Sequence, residues 1–226
     1  MKLYSGPLSL FSRKVEIALH EKSLPFERVM VPFTQAAGYA PKHPVVQAAN
    51  PKGQVPVLID GDLELFDSTL IFEYLEDAYP APALFPAGAR ERARCRLLEL
   101  FADEILLPQV RALMHRTEPP DADPQRELAR HAEARRAEAA IRELYDDLER
   151  RLGGGGYFCG DAVSVADIAL FMTVLFVLRL RGPALDGHPA LAAWYGRAGA
   201  RPAFARAAAE IAAADRALTR EIRTDM

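Results

Sequence analysis

The sequence is poor in the residues that mark a disulfide scaffold, a metal centre or a nucleic-acid binder. Its 226 residues include two cysteines, Cys95 and Cys159, far apart in sequence and in no CxxC pair or metal-ligand spacing. That excludes a disulfide framework and gives no metal site, and a small buried hydrophobe is the plainer reading of each thiol. The formal net charge is −3, without the basic excess that attracts nucleic acid or an anionic membrane surface. No apolar run reaches the length of a membrane span. The opening residues, MKLYSGPLSL, enter a strand pattern directly and lack a signal-peptide layout, so a cytoplasmic protein is expected. No internal repeat is present. What the chain does have is hydrophobic content, 50% of its residues, and length enough for one large domain or two small ones.

Residues 2–79 alternate strand and helix patterns. Lys2–Ser5 reads as a strand and Ser12–Lys22 as a helix with Val15, Ala18 and Leu19 on one face. Phe26–Val31 follows as a strand, then a proline-rich irregular stretch with a short helix near Val45–Ala49. Val55–Ile59 and Leu63–Phe66 read as strands around an Asp60-Gly61 turn, and Ser68–Tyr79 as a helix. The order βαβαββα suits a four-stranded mixed sheet with helices on its faces. Residues 80–88, PAPALFPAG, read as a linker. Residues 89–226 read as all-helical, with helices over Ala89–His115, Pro124–Leu152, Val165–Leu180, Pro189–Gly199 and Pro202–Leu218. The Gly153–Gly156 run is expected to end the second of these. Ser164 and Asp167 form a capping-box pattern, with Val163 and Ile168 placed as a hydrophobic staple, ahead of a helix that is apolar all round. That motif reads as structural.

The stretch from Asn50 to Asp77 is the most informative. Proline is tolerated at the start of a strand because it need not donate to the ladder there. Asp67 and Ser68 are residue types that cap the amides opening a helix. The same amides, at the positive end of the helix dipole, would hold a small carboxylate.

Together these features resemble the cytosolic glutathione S-transferases over roughly residues 1–215. The segments that carry the resemblance are NPKGQVPVL (50–58), FDSTLIFEYLE (66–76), GDAVSVADIAL (160–170) and HPALAAWYGRAGARPAF (188–204). The resemblance implies a thioredoxin-like N-terminal domain (βαβαββα) and an all-α C-terminal domain, with glutathione as cosubstrate and no metal. It implies a cis Val55-Pro56 bond whose main chain pairs with the cysteinyl backbone. It puts Asp67 at the α-amino group and Ser68, with the helix amides, at the carboxylate of the γ-glutamyl end. Most of the family has Glu where this chain has Asp67, one methylene longer. Gln54 matches a position contacting the cysteinyl or glycyl end, and Lys42 or His43 would supply a cation for the glycine carboxylate.

The family activates the glutathione thiol from just after the first strand. In LYSGPLSLFSRKV the resemblance to Ser-type and Cys-type members puts Ser9 at that position, with Ser12 second and Tyr4 or Ser5 behind it. With serine at both Ser9 and Ser12, thioredoxin-like disulfide chemistry is unavailable. A hydroxyl hydrogen bond and the positive helix end both favour a thiolate. Ser9 is equally a plain N-cap from its residue type. Arg13 reads either as an anchor of the site, or bridge between domains, or as a solvated charge. The electrophile site would draw on Leu8, Phe11, Arg111 and His115, with Phe101 and Leu107 as further apolar candidates; periodicity does not separate cleft-facing from core-facing positions. His115 reads more simply as a surface or helix-end histidine. The implied function is transfer of glutathione to a small hydrophobic electrophile by a homodimer. Alternatives are a glutathione-dependent isomerase, whose SSCS-type segment is replaced here by GPLSLFSRKV, and a non-catalytic binding or regulatory protein of the same fold.

Overall fold

The computed structural model describes residues 1–34, 36–152 and 156–218. By packing, the described chain falls into two compact units, Met1–Phe85 with Arg201–Leu218, and Pro86–Ala200.

The first unit holds β1 (Lys2–Ser5), α1 (Leu10–Glu21), β2 (Glu27–Met30), α2 (Pro44–Ala49), β3 (Val57–Asp60), β4 (Leu63–Phe66) and α3 (Ser68–Ala78). The sheet order is β2-β1-β3-β4, with β1 parallel to β2 and antiparallel to β3, and β4 antiparallel to β3. This is the mixed four-stranded sheet expected of a thioredoxin-like domain. Leu3, Val57 and Leu58 are fully buried in it, and Val15, Ala18 and Leu19 bury the inner face of α1. Helix α9 (Pro202–Leu218), last in sequence, packs on α1 and belongs to this unit.

Three local expectations shift. The first helix opens at Leu10, two residues before the expected Ser12, because Ser9 provides the cap. β3 begins at Val57 and not Val55: it pairs on both sides, and Pro56 has no N–H to enter a central ladder. The hairpin loop is Gly61-Asp62, since Asp60 still pairs with Leu63; Gly61, at φ 64°, supplies the left-handed residue that the loop requires. Asp60 accepts hydrogen bonds of 2.7 Å from both Tyr74 and Tyr79, which fastens the hairpin to α3 and its C-cap. The start of the proline-rich segment is also pinned. Lys22 Nζ contacts Glu76 at 2.8 Å, Tyr79 O at 2.7 Å and Pro82 O at 2.9 Å, while Glu76 accepts from the Leu84 amide at 3.0 Å.

The second unit comprises α4 (Ala89–Leu100), a π-helical segment (Phe101–Leu106), α5 (Leu107–Ala112), a short 3₁₀ turn (Met114–Thr117), α6 (Pro124–Leu152), α7 (Val165–Arg179) and α8 (Pro189–Gly199). The single helix expected over Ala89–His115 is thus divided. Pro108 lies just beyond the π segment; lacking an N–H, it cannot continue the regular hydrogen-bond ladder, and the helix widens ahead of it. Gly153 to Gly155 and residues 219–226 lie outside the described residues, and with them most of the expected glycine stop after α6.

Helix α7 is the core of this unit, buried from Val165 through Val174. Its capping box is extended into a hub. Asp167, fully buried, accepts from the Ser164 amide at 2.9 Å, Ser164 Oγ at 2.6 Å, the Phe158 amide at 3.0 Å and Trp194 Nε1 at 2.9 Å. At the other end, buried Arg116 donates to the Leu180 and Arg181 carbonyls at 3.1 and 3.0 Å, where the helix dipole favours a cation. The two cysteines, remote in sequence, meet here. Cys95 is buried and Cys159 half-buried; both are free thiols, and the hydrogen bond between them lowers the Cys159 pKa and raises that of Cys95.

Among the described residues no helix is long and apolar enough to cross a membrane. Asp167→Ala is expected to strand several buried donors and to cost about 3–5 kcal/mol, read as a lowered urea midpoint.

Candidate functional site

Three chain segments leave the same end of the sheet. Tyr4 pairs with Val57, and Val57 with Phe66, in one row across β1, β3 and β4. The loop after β1 leads to Ser9, the residues before β3 are Val55-Pro56, and the residues after β4 are Asp67-Ser68. Register alone therefore brings the three sequence-derived groups to one edge.

The first segment is closely determined. A Cβ on Gly6 would lie 2.5 Å from the Tyr39 ring, so any larger residue would displace that ring. The Tyr39 hydroxyl accepts from the Leu8 amide at 3.2 Å, and the Ser9 amide donates to Gly6 O at 3.1 Å. Ser9 is the N-cap of α1, extended at φ −88°, ψ 109°, and only 9% exposed. Its Oγ accepts from the Ser12 amide at 3.2 Å and from Ser12 Oγ at 3.0 Å. A hydroxyl has two lone pairs and one proton. With both lone pairs engaged, Ser9 retains its proton to donate at the positive end of α1. Ser12 is fully buried and spends its proton on Ser9. Tyr4 lies in a core cluster with Val31, Val46 and Val57, and Ser5 donates to Glu16, so both are occupied inside the fold.

Arg13 is not solvated; it joins α1 to α9, a helix of the 89–226 segment that packs within the first unit. It is 2% exposed, and its Nη1 lies 2.6 Å from Glu16 and 2.5 Å from Glu210 of α9, in the same unit. Its Nη2 reaches the Pro7 carbonyl at 3.4 Å, behind the loop that carries Ser9. Arg28 of β2 contacts the same two glutamates. Of these residues only the Arg13–Glu16 spacing, i,i+3 on a buried helical face, was legible in sequence.

The second segment is held by Asn50. Its side chain donates to Gln54 O at 2.7 Å and accepts from the Lys52 amide at 2.9 Å, turning the chain through Gly53 at φ 58°. Gln54 is exposed, Pro56 buried, and the Val55–Pro56 bond is cis. Exposed Lys42 runs alongside: a Cβ on Gly53 would sit 3.4 Å from its Cγ. His43 Nδ1 caps α2 by accepting from the Val45 amide at 3.3 Å.

In the third segment Asp67 is the N-cap of α3 at φ 75°. Its Oδ1 accepts from the Thr69 and Leu70 amides at 3.0 and 3.4 Å. Ser68 is buried as the first residue of the helix.

The residues named for the electrophile divide between the units. Leu8 and Phe11 are half-buried in the first. In the second, Phe101 and Leu107 are buried, Arg111 is exposed, and His115 is buried in the 3₁₀ turn, not on the surface. The His115 Nδ1 lies 2.9 Å from Ala112 O, and its ring stacks edge-on to His131 at 5.5 Å. Among the described residues no cluster of His, Cys, Asp or Glu could hold a metal ion.

The family model for the glutathione S-transferase N-terminal domain matches residues 3–83, and that for the C-terminal domain residues 129–197. The chain is 32% identical to glutathione S-transferase 3 of Zea mays over 93% of its length and 94% of that protein. It is 31% identical to the stringent starvation protein A homolog of Coxiella burnetii, over 75% of this chain and 72% of that one. The solved structure of a sphingomonad glutathione S-transferase complexed with glutathione superposes with a TM-score of 0.73 at 28% identity, covering 94% of this chain and 99% of the other. The chain belongs to the glutathione S-transferase family.

Arg13→Ala should cost about 3–5 kcal/mol, the loss expected when a buried ion pair is broken. A solvated charge would lose less than about 0.5 kcal/mol; urea denaturation separates the two.

Proposed function

We propose that the protein is a glutathione transferase in which Ser9 holds the cosubstrate thiol as thiolate. The observation that supports this best is the Ser9 hydroxyl: both lone pairs engaged by Ser12, its proton left to donate, at a helix N-terminus beside Val55-Pro56 and Asp67-Ser68. In this reading the main chain at Val55 pairs with the cysteinyl backbone. Ser68 and the first amides of α3 take the γ-glutamyl carboxylate, Asp67 the α-amino group, and Lys42 the glycine carboxylate, with Gln54 beside it. An ordinary thiol ionises near pH ~8.5, and each tenfold gain in thiolate-to-thiol ratio corresponds to about 1.4 kcal/mol. Half-ionisation at about pH 7 takes about 2 kcal/mol, which lies within the about 1.5–3 kcal/mol of one charge-assisted hydrogen bond, and the positive end of α1 adds to it. The thiolate sulfur then attacks the electrophile, a carbon–sulfur bond forms, and the leaving group departs with its electron pair. The electrophile is taken to be small and hydrophobic, contacted by Leu8 and Phe11. A cytoplasmic homodimer completes the reading.

A second reading is kept for one specific reason. Asp67 is a methylene short of the family's usual glutamate, and one of its oxygens caps its own helix. That favours a weak-binding or non-catalytic member, and a stringent starvation protein A homolog is among the relatives. The isomerase alternative lacks its SSCS-type segment, replaced by GPLSLFSRKV, although maleylacetoacetate isomerases are also among the relatives.

Retention on immobilised glutathione separates the first two readings. The transferase reading expects retention, strengthened by Asp67→Glu. Flow-through of both forms would overturn it. Ser9→Ala should still bind glutathione while losing the ultraviolet thiolate absorbance of the complex, and turnover with an electrophile panel should fall about 10–100-fold. An unchanged thiolate signal would move the role away from Ser9.

A further inference from the structure

A cavity of about 520 Å³ lies in the first unit, away from Ser9, Val55-Pro56 and Asp67-Ser68, and borders the Arg28–Glu210 ion pair. It is lined by His20, Ser23, Leu24, Pro25, Phe26, Arg28, Arg206 and Glu210. His20 belongs to the C-terminal end of α1, eleven residues beyond Ser9, which places it about 16 Å along the helix axis from that residue. The loop Ser23–Phe26 feeds the start of β2, where Glu27 pairs with Lys2. The cavity therefore opens at the opposite end of the sheet from the Tyr4–Val57–Phe66 row. Its size falls within the usual range for small-molecule sites, roughly 300–1,000 Å³.

The charges around it are unequally matched. Arg28 is held by Glu16 and Glu210, and Glu210 is shared between Arg28 and Arg13. Arg206, exposed on α9, has no carboxylate partner among the described residues. Its Nη1 meets a ring nitrogen, His20 Nε2, at 3.4 Å. That contact requires His20 to be neutral, and burial first, then the Arg206 charge, hold its pKa below the ordinary value. Opposite these groups lies an apolar wall of Leu24, Pro25 and Phe26, with the Phe26 and His20 rings 5.2 Å apart. The site thus combines one uncompensated guanidinium with an aromatic and aliphatic surface. A guanidinium matches the planar fork of a carboxylate. The nearby Glu210 disfavours a ligand of higher negative charge.

We propose that this cavity is a second binding site, taking a small aromatic carboxylate whose acid group pairs with Arg206 and whose ring packs on Phe26 and Pro25. The bound carboxylate takes over the guanidinium that His20 now faces. The charged groups acting on His20 are Arg206 and Arg28, which disfavour its protonation, and Glu16 and Glu210, which favour it. Neutralising Arg206 lets His20 protonate more readily, so binding takes up a proton. Affinity rises as pH falls through the His20 titration, as long as the ligand stays ionised.

The test uses 2-naphthoate as the probe, titrated calorimetrically into the full chain with and without saturating glutathione. The expected result is one saturable site, indifferent to glutathione, weakened about tenfold or more by Arg206→Ala, only partly restored by Arg206→Lys, and tightened as pH falls from about 7 to about 5, through the lowered His20 titration. The His20 ring resonances should shift on binding, and the neutral amide of the same acid should bind more weakly. Arg206 is exposed, so its replacement leaves the fold intact. Absence of saturable binding at millimolar probe, an equal affinity for Arg206→Ala, or displacement by glutathione would each overturn the proposal.

Discussion

The buried carboxylate of Glu16 is the constraint around which the first unit is built. It is 3% exposed and receives Ser5 from the end of β1, Arg13 from the first turn of α1 and Arg28 from β2, while α9 adds Glu210 against both arginines. An ion taken out of water loses several kcal/mol of solvation, and only partners in good geometry offset that loss. The two strands and two helices must therefore converge for any of these groups to be tolerated. Ser5 and Arg13 bracket the loop that carries Ser9, and Arg13 also touches the Pro7 carbonyl within it. The loop that carries Ser9 is thus held on both sides by this ion-pair cluster. The same cluster explains why α9 belongs to the sheet-bearing unit despite following the helical unit in sequence.

The second unit repeats the principle with one carboxylate. Asp167 begins as the reciprocal half of a capping box, a contact within a single helical turn. Trp194 and the Phe158 amide extend it to α8 and to the segment before α7. A capping signal readable from SVAD thereby becomes a junction of three chain segments. Its sequence signature describes only the local part of its work.

That division separates what the residues disclose from what they do not. Signals confined to a few neighbours come through: the Asp-Gly hairpin, the Asp-Ser helix opening, the capping box, the apolar stripe of α1. Where the boundaries of strands and the first helix err, the error is one or two residues, whereas the helix expected over Ala89–His115 is divided; prolines account for two of these departures. Pro56 cannot enter a central strand, and Pro108 cannot continue a helical ladder. Pairings across the chain leave no such mark. Nothing in SRKVEIALH announces that Arg13 will meet Glu210, and nothing near Gly6 announces Tyr39. The meeting of Cys95 with Cys159 is equally silent, because each thiol alone is indistinguishable from a small core residue.

The proposed site shows why residue type alone leaves roles open. Capping and the proposed thiolate binding look like rival explanations of Ser9, but they use different parts of one hydroxyl: the lone pairs cap, and the proton is left for the thiolate that we propose. The fully buried Ser12 sharpens the distinction by filling the second lone pair. Asp67 follows the same reasoning to a different limit. A carboxylate has about four lone-pair sites, so accepting from the Thr69 and Leu70 amides does not exhaust its capacity for an ammonium group. What the cap removes is freedom of position, because Oδ1 is tied to the first turn of α3. With one methylene fewer than glutamate, the remaining oxygen has little reach of its own. In the proposed reading, glutathione affinity at Asp67 is governed by distance, whereas the charge state of the glutathione thiol is governed by the direction of the Ser9 proton.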